Sequence, residues 1–255
     1  SRHIILSDVG VEGQERIANA KVLVVGAGGL GSPVLLYLAA AGVGTLGVID
    51  SDVVDLTNLQ RQIIHFTSDV DALKVDSASD KIKAINPNVS VNVYNTRVTA
   101  GNINDYIYDY DFIVDGTDNF PAKFLINDAC VLANKPFSHA GILQFAGQMM
   151  TVVPHTSACY RCIFQDPPPP DAVPSCSQAG VLGAIAGVFG TLQATEVLKY
   201  IIGKGELLTN RIMTFDALDM NFRTIRVKKR EDCPVCGKEA TIDEPIDYEQ
   251  KACEL

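Results

Sequence analysis

Hydrophobic residues in the first half of the chain form short runs that alternate with longer helical patterns. The runs VLVV (22–25), TLGVID (45–50), VSVNVY (89–94) and DFIVDG (111–116) have the length and composition of strands. Helical periodicity covers about 30–41, 72–85 and 121–135, and the second helix ends before an Asn-Pro pair. The pattern predicts an α/β fold with a doubly wound, Rossmann-like, mostly parallel sheet.

The second half has a different pattern. It predicts a strand at 147–154, a stiff proline run at 167–170 and a long apolar helix that begins near 179. Strand-like runs at 211–217 and 222–229 predict a C-terminal antiparallel extension, and an acidic tail occupies 241–255. No flexible linker separates the halves. We therefore expect a single domain over 1–255, with a nucleotide-binding half at about 20–145 and a second half at about 146–240.

The glycine turn GAGGLG (26–31) follows the first strand and opens the first predicted helix. Such a turn lets backbone N–H groups approach a phosphate at a helix N-terminus, and Gly28 and Gly29 form its centre. Asp50 ends the next strand, where an acid can accept hydrogen bonds from ribose hydroxyls. Nucleotide binding follows from this combination, but NAD and ATP satisfy it equally well.

Charged residues beyond the turn favour a triphosphate. Asn58 and Arg61 follow the ribose acid, and Lys74 opens the next helix, so cations are available for phosphate groups beyond those the turn itself can bind. Asp115, Asp118 and Asn119, in DGTDN (115–119), follow another parallel strand and should face the same crevice. A carboxylate opposite a triphosphate suits Mg²⁺, which takes oxygen ligands, whereas Asn119 could simply cap the next helix.

Composition and charge narrow the range of partners. The 255 residues carry a formal net charge of −9 and contain no basic run, which argues against nucleic acid. No apolar stretch is long enough to span a bilayer, so no membrane partner is expected. The chain begins at Ser1 rather than Met and shows no signal peptide, and we expect a cytoplasmic protein.

Two CxxC pairs predict a metal site. Cys159 and Cys162 form one pair and Cys233 and Cys236 the other, which together supply the four thiolates of a closed, tetrahedral structural Zn²⁺ site, a zinc knuckle. The alternative is two redox-active pairs. Cys176 lies apart from them, between the proline run and the predicted long helix, where a thiol near a helix N-terminus becomes more nucleophilic.

These motifs together resemble a known family. The set GAGGLG, VID, NLQRQ, the lysine of LKV and DGTDN, followed by CYRC, CSQAGV and CPVCG, is similar to the bacterial E1-like enzymes of the ThiF, MoeB and HesA type. The likeness runs from SRHIIL to CPVCG, with the motifs in order. It implies a homodimeric adenylyltransferase that uses ATP and Mg²⁺ to activate the C-terminal Gly-Gly carboxylate of a ubiquitin-like sulfur carrier, in thiamine or molybdopterin biosynthesis.

The resemblance also implies site residues. The residues it places at the nucleotide are Gly28 and Gly29 in the phosphate turn, Asp50 at the ribose, Asn58, Arg61 and Lys74 at the phosphates, and Asp118 at Mg²⁺. Arg2 matches an arginine that reaches the nucleotide of the opposite subunit, and the second half becomes the carrier-binding and zinc half. Cys176 either bonds the activated carrier, as in ThiF-like relatives, or is a loop thiol without a covalent role, as in MoeB-like relatives.

Two other function classes remain as alternatives. An NAD-dependent oxidoreductase would explain the glycine turn, but it would leave Arg61, Lys74, Asp118 and the paired cysteines without a role. A catalytically silent binding partner would not need a filled ATP site. Adenylylation needs no general base, because a carboxylate is already ionised at neutral pH. None of the four histidines is assigned a role on this basis.

Overall fold

The computed structural model describes residues 2–169 and 179–248. Their strands form one eight-stranded sheet in the order β3-β2-β1-β4-β5-β6-β7-β8. The strands are β1 (Lys21–Val25), β2 (Thr45–Ile49), β3 (Ser90–Tyr94), β4 (Phe112–Asp115), β5 (Phe137–Leu143), β6 (Ala146–Val152), β7 (Arg211–Asp216) and β8 (Asn221–Arg226). The helices are α1 (Arg2–Ile5), α2 (Gly10–Asn19), α3 (Gly31–Ala41), α4 (Lys74–Ile85), α5 (Ile103–Ile107), α6 (Phe120–Leu132) and α7 (Gly183–Ile202).

The sheet is parallel from β3 through β5 and antiparallel from β5 through β8. This confirms the doubly wound sheet with an antiparallel extension. Strand order reverses at β1, because β2 lies on one side of it and β4 on the other. In open α/β sheets, this reversal leaves a crevice at the carboxyl ends of the strands.

Helices cover both faces of the parallel strands, which explains the unbroken apolar runs in the sequence. The side chains of successive residues in β1 point alternately to the two faces of the sheet. Val22 and Val24 pack with α3, α4 and α7, whereas Leu23 and Val25 pack with α5 and α6. A third apolar cluster, which includes Ala140 of β5, lies between α7 and the antiparallel strands.

The helix ends follow local signals. Asn119 caps α6 by accepting a hydrogen bond from the Ala122 N–H at 3.0 Å, as its position before Pro121 allows. Gly42 and Gly203 end α3 and α7 in the left-handed conformation, with φ of +84° and +67°. None of the helices in the described ranges combines the length and apolar character needed to cross a bilayer.

Several elements differ from the sequence-based expectation. Strand β5 was not predicted, because Ser138 and His139 interrupt its apolar pattern, although both side chains are buried in the fold. Helices α1, α2 and α5 were also not predicted, since they are short or largely exposed. Helix α4 begins at Lys74 rather than near 72, and α7 begins at Gly183 rather than near 179.

Candidate active site

A cleft with a volume of about 1110 Å³ lies at the carboxyl ends of β1, β2 and β4, where the strand order reverses. It extends from the glycine turn to the antiparallel strands. Six of the residues predicted to bind nucleotide line this single cleft: Gly28, Gly29, Asp50, Arg61, Lys74 and Asp118. The fold therefore brings together residues that lie far apart in the sequence.

The glycine turn packs so closely on β4 that side chains are excluded. Gly26 has a φ of +97°, and a Cβ there would lie 2.8 Å from the carbonyl oxygen of Gly116. A Cβ at Gly31 would lie 1.9 Å from the carbonyl oxygen of Gly26. From below, the buried His65 Nε2–H donates to the carbonyl of Ala27 at 2.9 Å. The backbone of the turn is thus fixed on two sides.

Asp50 is tied to the same turn. Its Oδ2 accepts from the Ala27 N–H at 2.8 Å, and its Oδ1 accepts from the Asp52 N–H at 2.9 Å. Burial raises the pKa of Asp50, while the charge of Lys74 and the two backbone donors oppose the rise. Each carboxylate oxygen still has acceptor capacity for a hydroxyl group of a ligand in the cleft.

Arg61 is held by a side chain that is not itself among the residues lining the cleft. The Oδ1 of Asn58 accepts from Arg61 Nη2 at 3.1 Å and from Gln62 Nε2 at 2.8 Å. Gln62 lies beneath the turn, with its Nε2 3.6 Å from where a Cβ of Gly28 would be. Asn58 therefore positions two groups that line the cleft, and a direct phosphate contact from Asn58 stays a prediction.

Lys74 begins α4 and points into the cleft from a buried position. Its side chain is 6% exposed, and its Nζ lies 2.9 Å from Oδ2 of Asp52, which is 67% exposed. An ammonium group removed from water in this way favours a second anionic partner, because its present partner remains largely hydrated. A phosphate group in the cleft would meet that requirement.

Asp118 lies at the rim of the cleft, in the loop between β4 and α6. Within the described ranges, its carboxylate makes no hydrogen bond and no ion pair. This leaves both oxygens available, as a magnesium ligand requires. The neighbouring Asn119 differs from Asp118, because its side chain caps α6.

Asp115 was expected to face the cleft, but the structure places it underneath. Its Oδ2 lies 3.1 Å from Lys123 Nζ and 2.8 Å from His139 Nδ1. Lys123 Nζ also donates to the carbonyl oxygens of Thr117 and Ala140, at 2.7 Å each. Burial opposes ionisation, but Lys123, His139 and Thr117 outweigh it and hold the pKa of Asp115 well below its usual range.

The sequence analysis assigned no role to Lys123 or His139, yet both line the cleft. Lys123 is one helical residue among many, and nothing in its local sequence indicates that all its donors are used internally. His139 and Gly141 are two residues apart, the spacing of residues that share one face of a strand, and this spacing was the signal for β5 in the sequence. The missing information was that β5 lies beside β4, with His139 directly opposite Asp115.

One face of the antiparallel extension continues the floor of the cleft. Gly141 is paired with Gln148, Gln148 with Thr214, and Thr214 with Arg223, and all four line the cleft. Residues paired across strands share a face of the sheet. The opposite face packs on α7, where a Cβ on Gly147 would lie 2.2 Å from the ring of Phe189. Across β5, β6 and β7, the extension therefore has one apolar face packed on α7 and one polar face that lines the cleft, whereas both faces of β8 are exposed.

Two predicted residues lie elsewhere. Arg2 is exposed on α1 and is not among the residues that line the cleft of its own chain. Cys176 lies outside the described residues, so its predicted role is neither supported nor opposed by the structure.

The two CxxC pairs meet as predicted. The sulfur atoms of Cys159, Cys162, Cys233 and Cys236 all lie within 4.8 Å of one another. Separations of 4.0 Å, 3.6 Å and 3.5 Å between neighbouring Sγ atoms are too long for disulfide bonds. They are close to the separation of about 3.8 Å expected for four sulfurs at about 2.3 Å around a tetrahedral ion. The four thiols thus fit a metal and can hold a structural zinc ion.

A buried ion pair joins this cysteine cluster to α6. Arg161, between the first two cysteines, donates from Nε and Nη2 to the two oxygens of Asp128, each at 2.8 Å. Tyr248 hydrogen-bonds to the same pair, and Asp247 accepts from the Ala100 N–H at 2.8 Å. Tyr248 and Asp247 also line the cleft. The residues after the cysteine cluster therefore form part of the cleft wall.

Comparison with known proteins gives a consistent result. The ThiF family matches residues 1–235. The chain is 46% identical over 250 residues to the SAMP-activating enzyme E1 of Haloferax volcanii, covering 97% of this chain and 92% of that protein. It is 47% identical over 253 residues to the sulfur carrier protein adenylyltransferase of Thermus thermophilus, covering 97% and 93%.

A longer relative and a solved structure extend this picture. The probable adenylyltransferase/sulfurtransferase MoeZ of Mycobacterium tuberculosis is 48% identical over 254 residues, but the chain covers only 63% of its length. A crystal structure of E. coli MccB with ATP superposes with a TM-score of 0.79 at 26% identity, covering 89% of this chain and 69% of that one. Taken with the near-complete relatives, the family match means that this chain belongs to the ThiF family and is an E1-like adenylyltransferase.

Proposed function

We propose that the protein uses ATP to adenylylate the C-terminal Gly-Gly carboxylate of a small ubiquitin-like sulfur carrier, for sulfur transfer in thiamine or molybdopterin biosynthesis. The observation that carries the proposal is the convergence of Arg61, Lys74 and Asp118 with the glycine turn around one cleft. This set of charges suits a triphosphate with its cation. Relatives named for sulfur carrier adenylylation and SAMP activation give the carrier its chemical class.

The proposed reaction needs positioning and charge stabilisation rather than proton transfer. A carboxylate oxygen of the carrier attacks the α-phosphorus of ATP, and the bond from that phosphorus to the departing pyrophosphate breaks. Arg61 and Lys74 stabilise negative charge on the attacked and departing phosphate groups. Asp118 would hold Mg²⁺, which when bound neutralises phosphate charge. An NAD-dependent reaction would leave these three side chains unused.

Carrier-dependent exchange of labelled pyrophosphate into ATP tests this function. We expect exchange only with a carrier that ends in Gly-Gly, and none with the same carrier lacking its last glycine. Arg61→Ala should lower the exchange rate by about 100-fold or more while leaving the unfolding transition unchanged. Lys83→Ala, which removes an exposed cation on α4, is the matched control. Reduction of NAD without any exchange would favour the oxidoreductase alternative.

The carrier body would dock on the β7–β8 hairpin. Leu218 and Met220 at its turn are 71% and 72% exposed, and Phe222 and Ile225 on β8 are 49% and 54% exposed. Ile225 lies on the same face of the hairpin as Thr214 and Arg223, which line the cleft, whereas Phe222 lies on the opposite face and stacks on Phe215. A carrier held there by its own apolar surface could extend its C-terminal tail across that polar face towards the nucleotide.

We infer that the enzyme is a homodimer and that Arg2 of the partner subunit completes each nucleotide site. The position of Arg2 away from its own cleft is compatible with action in trans. Mixing Arg2→Ala subunits with Arg61→Ala subunits tests this, because a mixed dimer contains one site with both arginines. Recovery of exchange on mixing would support the inference. Two inactive variants that stay inactive as a verified mixed dimer would contradict it.

The role of Cys176 separates two sulfur-transfer schemes. We propose that its thiolate attacks the carbonyl carbon of the adenylylated carrier, so that a thioester bond forms and the bond to AMP breaks, with AMP as the leaving group. Cys176→Ala should then leave pyrophosphate exchange unchanged and block transfer of sulfur to the carrier. Normal sulfur transfer by this variant would indicate that the enzyme only adenylylates. We infer a cytoplasmic location for all these steps, since reducing conditions keep the paired thiols available for metal.

A further inference from the structure

His139 has one ring nitrogen that nothing in the mechanism uses. Its side chain is 2% exposed, and its Nε2 has no hydrogen-bond partner within the described part of the chain. The other ring nitrogen, Nδ1, lies 2.8 Å from Asp115 Oδ2. Buried polar atoms are nearly always hydrogen-bonded, so this unpaired atom on the cleft floor indicates that a ligand group satisfies it.

The protonation state of His139 follows from its surroundings. Burial lowers the pKa of His139, and the neighbouring Lys123 lowers it further, so the ring is neutral at neutral pH. Asp115 is ionised and can only accept, so the single ring proton lies on Nδ1. Nε2 therefore presents a lone pair. It can accept a hydrogen bond from an N–H or O–H group, but it cannot bond to a phosphate or a carboxylate oxygen.

The route to Nε2 passes over Gly141. His139 and Gly141 are two residues apart on β5 and share the face that lines the cleft. A Cβ added to Gly141 would lie 4.0 Å from Nε2, an ordinary contact distance, so a side chain at this position would lie against the nitrogen. Tyr160 packs on another side, with its ring centroid 4.4 Å from that of His139. Nε2 itself is buried, so a donor must lie close against the bare backbone of Gly141 to reach it.

We propose that His139 Nε2 accepts a hydrogen bond from one of the last two peptide N–H groups of the carrier tail, and that His139 thereby positions the tail for adenylylation. This rests on the proposed function. A Gly-Gly backbone carries no side chains, so it can lie close against Gly141. The phosphates belong at the glycine turn beside Arg61 and Lys74, on the far side of β4 from His139.

Semisynthetic carriers test this hydrogen bond directly. Two carriers are prepared in which an ester oxygen replaces the N–H of the last or of the second-last glycine, and both retain the terminal carboxylate. With the wild-type enzyme, one of them should raise the KM for the carrier by about tenfold, the effect of losing one hydrogen bond. The KM for ATP should stay the same. If the wild-type enzyme has the same KM for both ester carriers as for the normal amide carrier, the proposal is overturned.

Two variants identify the acceptor. His139→Asn keeps an amide donor for Asp115 but has no atom at Nε2, and Gly141→Ala covers Nε2 at an ordinary contact distance. Each variant should raise the KM for the normal carrier by about tenfold. With either variant, the ester that raised the KM of the wild-type enzyme should give the same KM as the normal carrier. His155→Asn, the same change at an exposed histidine with positive φ, is the control. Separate, additive losses from variant and ester would contradict the proposal, as would a rise in the KM for ATP alone.

A readout independent of activity is the ¹⁵N chemical shift of His139 Nε2. It should move towards lower ppm when the wild-type enzyme, loaded with a non-hydrolysable ATP analogue, binds the normal carrier, and it should not move with the sensitive ester. Absence of pyrophosphate exchange with every Gly-Gly carrier would refute the proposed function and this inference together. Exchange that proceeds equally with the esters would refute only the role of His139.

Discussion

At the scale of single residues, the site depends on buried charges that are paired inside the protein. Asp69, which is only half-buried, shows how a paired charge also fixes a loop near the cleft. Its Oδ2 accepts from the Phe66 N–H at 2.7 Å, from Ser77 Oγ at 3.0 Å and from Lys81 Nζ at 2.5 Å. These bonds hold the segment between β2 and α4, which carries Arg61, against the start of α4.

The pH dependence of the free energy of unfolding should report the ionisation of the Asp69 carboxylate. Burial would raise its pKa, but Lys81, Phe66 N–H and Ser77 outweigh this and lower it from 3.8 to about 2. Since the folded-state pKa is below the unfolded value, the contribution is complete above pH 3.8 and is lost as the pH falls towards about 2. Asp69→Asn should reduce the free energy of unfolding by about 1–2 kcal/mol at pH 6, and by less at pH 3.

Urea unfolding at several pH values measures the effect of Asp69. Asp80→Asn, on the exposed side of α4, is the control and should change stability little. A loss in Asp69→Asn that stays constant from pH 6 to pH 3 would mean that its contribution does not come from the ionised carboxylate.

At the scale of elements, the contact between α6 and the cysteine cluster depends on the Arg161–Asp128 pair. Both side chains are almost completely buried, and the guanidinium group also lies 4.8 Å from the ring centroid of Phe124. Breaking a buried pair from one side leaves an unpaired charge, which typically costs more than replacing both partners.

Asp128→Ala should therefore lower the free energy of unfolding by about 3–5 kcal/mol, whereas the double variant Asp128→Leu with Arg161→Met should lose less. Chemical denaturation of both proteins and of Asp109→Ala, an exposed control, gives the comparison. If the double variant were the less stable of the two, the pair would contribute more than its desolvation cost, contrary to this expectation.

The elements also show what local sequence could predict. Strands β1, β2 and β4 were predicted because they are apolar on both faces, and α6 because its sequence has helical periodicity, with Asn119 as a possible cap. Strand β5 was not, since the polar character of His139 is compensated by Asp115, a residue on a different strand. Local propensity contains no information about such a partner.

At the scale of the whole molecule, the cysteine cluster and the cleft are structurally connected. Arg161 lies between the first two cysteines of the cluster and hydrogen-bonds to Tyr248, and Tyr248 lines the cleft. Four thiolates around zinc leave no open coordination position, so the ion should act on stability rather than on the chemical step.

Removal of zinc should lower the melting temperature before it lowers pyrophosphate exchange at 25 °C. Cys233→Ser should reduce bound zinc to near zero and destabilise the protein, and Cys130→Ala, at a buried thiol outside the cluster, should keep one zinc per chain. Metal analysis, thermal unfolding and exchange assays on the same samples check this. Immediate, reversible loss of exchange in protein that remains folded would contradict a structural role for the metal.

The sequence by itself determined the chain of elements, the glycine turn, the candidate cations and acids, and the pairing of the four cysteines. These features depend on residue type and spacing, which are local. Only the tertiary structure decided that Asp115 turns away from the cleft to meet Lys123 and His139, and that Tyr248 returns to the cleft wall. Each of these contacts joins side chains whose proximity depends on strand order and helix packing, and that information is distributed over the whole chain.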